Sequence, residues 1–123
     1  MDKKKRLRSQ ADVLWFKACL KKYGGKCELT EHDFMIQAHH FFPKSSYPML
    51  RYDLDNGVLL TKGLHFNHHQ KGDPTVHQRI IDKRGIKWYK KLLKRSHLKL
   101  KNSYTTTGYY EKIITGLEKA LKD

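Results

Sequence analysis

Acidic residues, cysteines and long apolar runs are all scarce in this sequence of 123 residues. Only 12 Asp and Glu accompany 26 Lys and Arg, which leaves a formal net charge of +14. The two cysteines are too few for a disulfide scaffold, so we expect reduced thiols and a cytoplasmic protein. No segment approaches the roughly 18 apolar residues of a membrane span, so a membrane protein is not expected. The first apolar stretch is interrupted by Lys17 and lacks a cleavage site of small residues, so a signal peptide is not expected either.

The surplus of positive charge makes a polyanion the expected partner of the chain. Nucleic acid is the first candidate, and an anionic membrane surface is the second. The length is sufficient for one domain. We therefore expect a basic, mobile arm over residues 1–8 and a single domain over residues 9–123.

The order of apolar and turn-forming residues predicts an α+β fold in which a hairpin is flanked by several helices. A first helix begins at Ser9 or Gln10, and its predicted buried face consists of Val13, Phe16, Leu20 and Tyr23. Strands are predicted at residues 34–41 and 57–61, and a short helix follows over 64–72.

The C-terminal part of the chain, residues 74–122, is predicted to be helical. A helix over 74–84 should end at Gly85. The next helix, over 86–101, is amphipathic, with inward positions at Ile86, Tyr89, Leu92 and Leu93. The last helix places one apolar stripe in register, formed by Tyr110, Ile113, Ile114, Leu117 and Leu121.

Histidines are unusually frequent, with eight in the chain, and most of them flank the predicted hairpin. His39 and His40 end the first strand, where adjacent side chains point to opposite faces and so do different work. His65 and His69 are four residues apart on a helix, so they share a face and can bind one ion. His68 competes with His69 for that role.

This division of histidines suits a hydrolytic metal site. One histidine of the adjacent pair joins the helix histidines on the metal, while the other activates water as a general base. Asn56 lies just before the second strand, and its side-chain carbonyl can accept the N–H of that base and fix the ring.

The motifs of this region resemble a known family. "AHHFFP", "DNGVLL" and "LHFNHH" are similar, in that order, to the pattern of HNH endonucleases, the ββα-metal nucleases. The paired histidines resemble those of DNase colicins. The stretch "HFFPKSSYPMLRYDLDN" is similar to the P-x-L-R-[FY]-x-x-D-N pattern of the NinG/Rap phage recombination nucleases. The likeness covers residues 27 to about 85.

The resemblance implies a ββα-metal core over residues 27–72 and assigns roles within it. His40 becomes the general base and Asn56 the middle asparagine of the pattern. Arg51 would contact the scissile or a neighbouring phosphate. The metal ligands would be His39, His65 and His69.

One divalent ion is the implied cofactor, Mg²⁺ or Mn²⁺, and Zn²⁺, Ni²⁺ or Co²⁺ also suit imidazole ligands. Relatives often hold a structural zinc with two C-x-x-C pairs. The matching positions here are Cys27, Thr30, Thr61 and Leu64, so one thiol stands where four are needed. We expect no structural zinc, and packing around Leu64 in its place.

The sequence thus predicts a metal-dependent endonuclease that hydrolyses DNA phosphodiester bonds, and the resemblance implies a role in phage or mobile-element recombination. Its partner would be duplex or branched DNA, and a homodimer is left open. The alternative is a non-catalytic basic module that only binds nucleic acid. In either case the predicted DNA contacts come from Lys44, Arg51, Lys71, Lys87, Lys90, Lys91, Lys94 and Arg95.

Overall fold

Over residues 2–65, 74–98 and 102–123, which the computed structural model describes, the chain combines helices with one two-stranded antiparallel sheet. The elements follow in the order α1 (Lys3–Tyr23), β1 (Ile36–His40), β2 (Gly57–Thr61), a helical segment at 62–65, α2 (Pro74–Arg84), α3 (Ile86–Ser96) and α4 (Thr107–Lys122). Short 3₁₀ turns occupy Pro48–Leu50, Leu54–Asn56 and Asn102–Thr105. The α+β class is confirmed. None of the described helices is both long and apolar enough to cross a bilayer.

Helix α1 begins at Lys3, well before its predicted start. The Asp2 carboxylate accepts a hydrogen bond from the Lys5 backbone N–H at 2.8 Å and caps the helix. Because Lys, Arg and Leu are good helix formers, residues 3–8 belong to this helix, and the prediction of a separate arm is wrong for them. The helix ends at Gly24, where φ is 79°.

The hairpin is tightly specified at the end that carries the adjacent histidines. His40 pairs with Gly57, the first residue of β2. A Cβ at position 57 would lie 2.5 Å from the Cys19 sulfur, so only glycine lets α1 pack this closely on the sheet. At its other end β1 is shorter than predicted because Met35 has a φ of 52° and leaves the strand conformation.

The hairpin lies between two helical layers, and each face of β2 buries its own set of apolar side chains. Leu59 faces a cluster from α1 and α4 that includes Ala11, Trp15, Ala18, Cys19, Tyr110, Ile114 and Leu117. Val58 and Leu60 face a second cluster that includes Phe41, Phe42, Leu50, Val76, Ile80 and Leu92. The hairpin is therefore packed against helices on both of its faces.

Two residues that the sequence predicted to be buried are exposed instead. Val13 is 53% exposed, because α1 turns Trp15 and the small Ala11 and Ala18 towards the core instead. Ile86 is 54% exposed, at the first residue of α3. The remaining predicted residues of α3 and α4 do pack against the two clusters, namely Tyr89, Leu92, Leu93, Tyr110, Ile113, Ile114, Leu117 and Leu121.

Arg84 ties the last turn of α2 to the start of β2. Its guanidinium pairs with the Glu28 carboxylate at 2.6 Å, and the two side chains are only 10% and 12% exposed. It also donates to the backbone carbonyls of Asp55 and Gly57, at 3.1 and 2.8 Å. The Trp88 indole N–H donates to the same Asp55 carbonyl at 2.9 Å. The turn before β2 is thus anchored to both α2 and α3.

Candidate functional site

The adjacent histidines of β1 point to opposite faces of the hairpin, as the alternation of a strand predicts. The His40 ring turns towards α1 and stacks on Trp15. The His39 ring turns to the other face, is 1% exposed and meets the ring of His65. The two imidazoles therefore have different surroundings, which suits two different roles.

His39, His65 and Gln37 form one group on the face away from α1. The rings of His39 and His65 have centroids 5.0 Å apart. The Nδ1 atom of His65 lies 2.6 Å from Oε1 of Gln37. An amide oxygen can only accept, so Nδ1 carries the proton and Nε2 carries the lone pair. A histidine held by such an outer hydrogen bond is typical of metal ligands.

Two of the three predicted metal ligands are thus brought together, and the third, His69, lies outside the described residues, as does His68. Within residues 2–65, 74–98 and 102–123, no group of three or more His, Cys, Asp or Glu side chains is placed to hold a metal ion. A divalent ion held by these two imidazoles would need at least one further ligand, and His69 is the predicted one.

His40 is held in a fixed orientation by two contacts. Its ring lies parallel to the Trp15 indole, with centroids 4.1 Å apart and an interplanar angle of 7°. Its Nε2 atom lies 3.0 Å from the backbone carbonyl oxygen of Arg51. Because a carbonyl can only accept, Nε2 carries the proton in this contact and Nδ1 is left with the lone pair that a general base needs.

The surroundings of His40 favour its neutral form. Burial lowers the pKa of the imidazole to about 4, and the positive charges of Lys44 and Arg51 act in the same direction. The bond to the Arg51 carbonyl and the charge of Asp12 oppose the shift without cancelling it. At neutral pH the ring is therefore unprotonated and able to accept a proton, although a pKa this low makes it a weak base in the resting protein.

A cleft along the edge of β1 brings the two faces of the site together. It has a volume of about 450 Å³ and is lined by Ala38, His40, Pro43, Lys44, Ser45 and His65. His40 and His65 thus border the same opening, although they approach it from opposite faces of the hairpin. A ligand in this cleft can reach the predicted base, one predicted metal ligand and a lysine at once.

Arg51 has an internal partner. Its guanidinium makes a two-bond contact with the Asp12 carboxylate, with Nε–Oδ1 at 3.1 Å and Nη2–Oδ2 at 2.8 Å. A phosphate would have to compete with the Asp12 carboxylate for the N–H groups of the Arg51 guanidinium. The backbone of Arg51, through its carbonyl bond to His40, has a clearer role in the site than its side chain, whose phosphate contact stays a prediction.

Asn56 does not hold the His40 ring, and the prediction that it does is wrong. The fully buried side-chain amide accepts from the Phe42 N–H at 2.8 Å and donates to the carbonyls of Phe42 and Leu50, at 3.0 and 3.1 Å. It therefore fixes the loop that follows β1 and positions the cleft wall. The ring nitrogen of His40 finds its acceptor on Arg51 instead.

Replacing Asn56 with alanine should lower the free energy of unfolding by about 3 kcal/mol or more, since buried groups left unsatisfied cost about 1–3 kcal/mol each. Urea denaturation followed by circular dichroism would measure the change. Gln78→Ala is the control, because this side chain is exposed and bonds the side chain of Asp82 one turn along the same helix, and it should change stability by less than about 0.5 kcal/mol. Equal free energies of unfolding for Asn56→Ala and wild type would show that the hydrogen bonds of Asn56 do not stabilise the loop after β1.

Cys27 lies close to Thr30 and Thr61, and Thr61 lies close to Leu64, at the positions compared above with a structural zinc site. The Thr30 hydroxyl and the backbone N–H groups of Leu29, Thr61 and Thr30 bond the sulfur of Cys27 and lower its pKa, although burial alone would raise it. Leu64 packs against the second core cluster, as predicted. Hydrogen bonds and apolar contacts therefore join the hairpin to its neighbours at this point.

The predicted DNA-binding residues separate into groups. Lys44 lines the cleft, while Lys71 lies outside the described residues. Arg95 is engaged by Asp53 and Asp55, at 2.7 and 2.9 Å, so its charge is already compensated. The lysines of α3 are all exposed, namely Lys87, Lys90, Lys91 and Lys94. Lys87 and Lys91 line a second groove, which shares no described residue with the cleft.

Three residues of the site were missed from the sequence. Gln37 is two residues before His39, so strand alternation could have placed it on the same face as His39. Trp15 and Asp12 are three residues apart on α1, so they lie near one face of the helix. Their partners on the hairpin are distant in the sequence, and no pattern in the chain indicates those contacts.

Comparison with protein-family models, with curated proteins and with solved structures finds no match for this chain. The likeness to HNH endonucleases therefore depends on the sequence motifs alone and enters the next section as part of a proposal.

Proposed function

We propose that this protein is a metal-dependent endonuclease of the HNH type that hydrolyses phosphodiester bonds in DNA. The observation that supports this most directly is the shared cleft, which is bordered by His40 from one face of the hairpin and His65 from the other. A ββα-metal site needs this arrangement, because the water and the leaving oxygen lie on opposite sides of the scissile phosphorus.

His40 would act as the general base. Its Nδ1 atom takes a proton from a water molecule in the cleft while Nε2–H remains bonded to the Arg51 carbonyl. The water oxygen attacks phosphorus in line with the bond that breaks, and the 3′-oxygen leaves. Trp15 keeps the ring in the plane required for this transfer, so little reorganisation is needed during the reaction.

His39 and His65, with His69 as the predicted third ligand, would hold the divalent ion. Such an ion supplies a positive charge that binds a phosphate oxygen and stabilises the negative charge on the leaving oxygen. Gln37 orients the His65 ring, and the burial of His39 fixes the other ring. Imidazole ligands favour Mn²⁺, Co²⁺, Ni²⁺ or Zn²⁺ over Mg²⁺.

The charge of the chain supports DNA as the substrate. A net charge of +14 favours a polyanion, and Lys44, which lines the cleft, would contact a phosphate there. Contacts of lysine with the backbone carry no sequence information, so we propose binding with little sequence preference. The role in phage or mobile-element recombination and the use of branched DNA are proposed from the motif resemblance alone.

The test is a plasmid-nicking assay with Mn²⁺ or Mg²⁺, compared with the same reaction in EDTA. We expect nicked and linear products only when a divalent ion is present. Duplex, branched and single-stranded DNA should be compared under the same conditions. Failure of wild-type protein to cut any of them with any divalent ion would overturn the proposed activity.

The rival function is a binding module without catalysis. The exposed lysines of α3 and their separate groove would support binding with no help from the cleft. This rival predicts tight, salt-sensitive binding that EDTA leaves unchanged, together with no cleavage. The nicking assay therefore separates the two functions.

A further inference from the structure

The first turns of α1 present basic side chains on the face that borders the catalytic cleft. Asp12 and Phe16 of α1 line a second opening of about 310 Å³ that shares Ala38, His40 and Lys44 with the cleft. Residues of an α-helix follow one another at 3.6 per turn, so Arg8 lies about 40° and Lys5 about 20° round the helix from Asp12. Both are exposed.

These two side chains continue a path that starts at the cleft. With a rise of about 1.5 Å per residue, Arg8 stands about 6 Å and Lys5 about 10 Å from Asp12 along the axis. Phosphates of one DNA strand follow one another at about 3.4 Å of axis, so the path spans about three phosphates.

The charge of this face is available for a partner. Asp12, the nearest acidic side chain on the same face, is engaged by Arg51 at 2.8 Å. Two other acidic residues lie near the start of α1: Glu111 pairs with Lys3 at 3.5 Å, and the Asp2 carboxylate accepts from the Lys5 backbone N–H at 2.8 Å as the helix cap. The ion pairs found among the described residues include neither Lys5 nor Arg8. An anionic strand would therefore meet these two side-chain charges without breaking an ion pair seen among the described residues, and the Asp2 carboxylate would stay on the backbone N–H that it caps.

We propose that Lys5 and Arg8 form a backbone-binding track that holds the cut strand on one side of the scissile bond. This proposal rests on the DNA substrate proposed above and adds the direction in which the strand leaves the cleft. The track would fix the register of the strand over His40 and leave the lysines of α3 to contact another part of the duplex.

The test is the salt dependence of DNA binding, measured in EDTA so that no cleavage occurs. Each phosphate contact contributes about 0.9 to the slope of log K against log salt, so Lys5→Ala/Arg8→Ala should lower the slope by about 2. The matched control is Arg6→Ala/Lys17→Ala, which removes the same charge at exposed positions about 120° and 140° round the helix from Asp12. Its slope should stay that of wild type.

Both variants should fold, because alanine is the best helix former, and circular dichroism checks this. The proposed track would be overturned if both variants changed the salt-dependence slope equally. It would also be overturned if Lys5→Ala/Arg8→Ala left the slope unchanged. The track would also be overturned if Lys5→Ala/Arg8→Ala lost binding to anionic lipid vesicles while its salt dependence of DNA binding stayed that of wild type. A lowered slope in a protein that never cuts DNA would keep the track and reject the nuclease, so the two failures are distinguishable.

Discussion

Replacing His40 with glutamine should lower the rate of DNA cleavage by about 10²–10⁴-fold, which is the contribution of a general base. The amide of glutamine keeps an N–H that can reach the Arg51 carbonyl, but it cannot take a proton from water. The rate is measured as initial plasmid nicking at saturating Mn²⁺. DNA affinity in EDTA should stay that of wild type, since the change is aimed at the chemical step.

The control for this prediction is His97→Gln, at the exposed C-terminal end of α3. It should cut DNA at the wild-type rate. Cleavage by His40→Gln within about tenfold of wild type would show that another group removes the proton, because a general base is worth more than that. A loss of the folded circular dichroism signal in His40→Gln would call for comparison at equal folded concentration.

Replacing His65 with alanine should abolish cleavage at Mn²⁺ concentrations that saturate the wild-type protein. His65 is a better test than His39, because His39 is 1% exposed and its loss would also remove core packing. Gln37→Ala should leave the metal ligands in place but raise the Mn²⁺ concentration required by about 10–100-fold, the usual effect of an outer hydrogen bond to a ligand. Rates across a Mn²⁺ titration measure both effects.

Titration calorimetry with Mn²⁺ gives a second readout of the same prediction that does not depend on cleavage. Heat of binding should be lost in His65→Ala and weakened in Gln37→Ala. His32→Ala is the control, because His32 is exposed and stacks on Phe34, away from the cleft. Wild-type metal affinity in His65→Ala would reject its role as a ligand.

Much of the fold was predictable because its signals are local. The strand at Gly57–Thr61, the helix at Pro74–Arg84 and the apolar stripe of α4 all follow from periodicity and from the residues that end each element. The start of α1 could not be predicted in this way, because the high positive charge of the first residues suggested a solvated arm. The cap provided by Asp2 and the helix propensity of Lys and Arg outweigh that repulsion.

The candidate site was predictable only as far as its residue types and its strand alternation allow. The opposite orientations of His39 and His40 follow from the pleat of β1. The partners of His40 could not be predicted from the pleat, because Trp15 and the Arg51 carbonyl belong to distant segments of the chain. Asn56 shows the same limit, since its bonds run to the backbone of a loop and no side-chain pattern marks them.

The pairing of His40 with Gly57 has a consequence for how the site can fail. A slip of one residue between the strands would send each histidine to the opposite face and exchange the proposed base with the proposed metal ligand. Any side chain entering position 57 would collide with the Cys19 sulfur, 2.5 Å from where its Cβ would stand. A one-residue shift of β2 against α1 is therefore sterically disfavoured, and this contact helps to hold His39 and His40 on their observed faces.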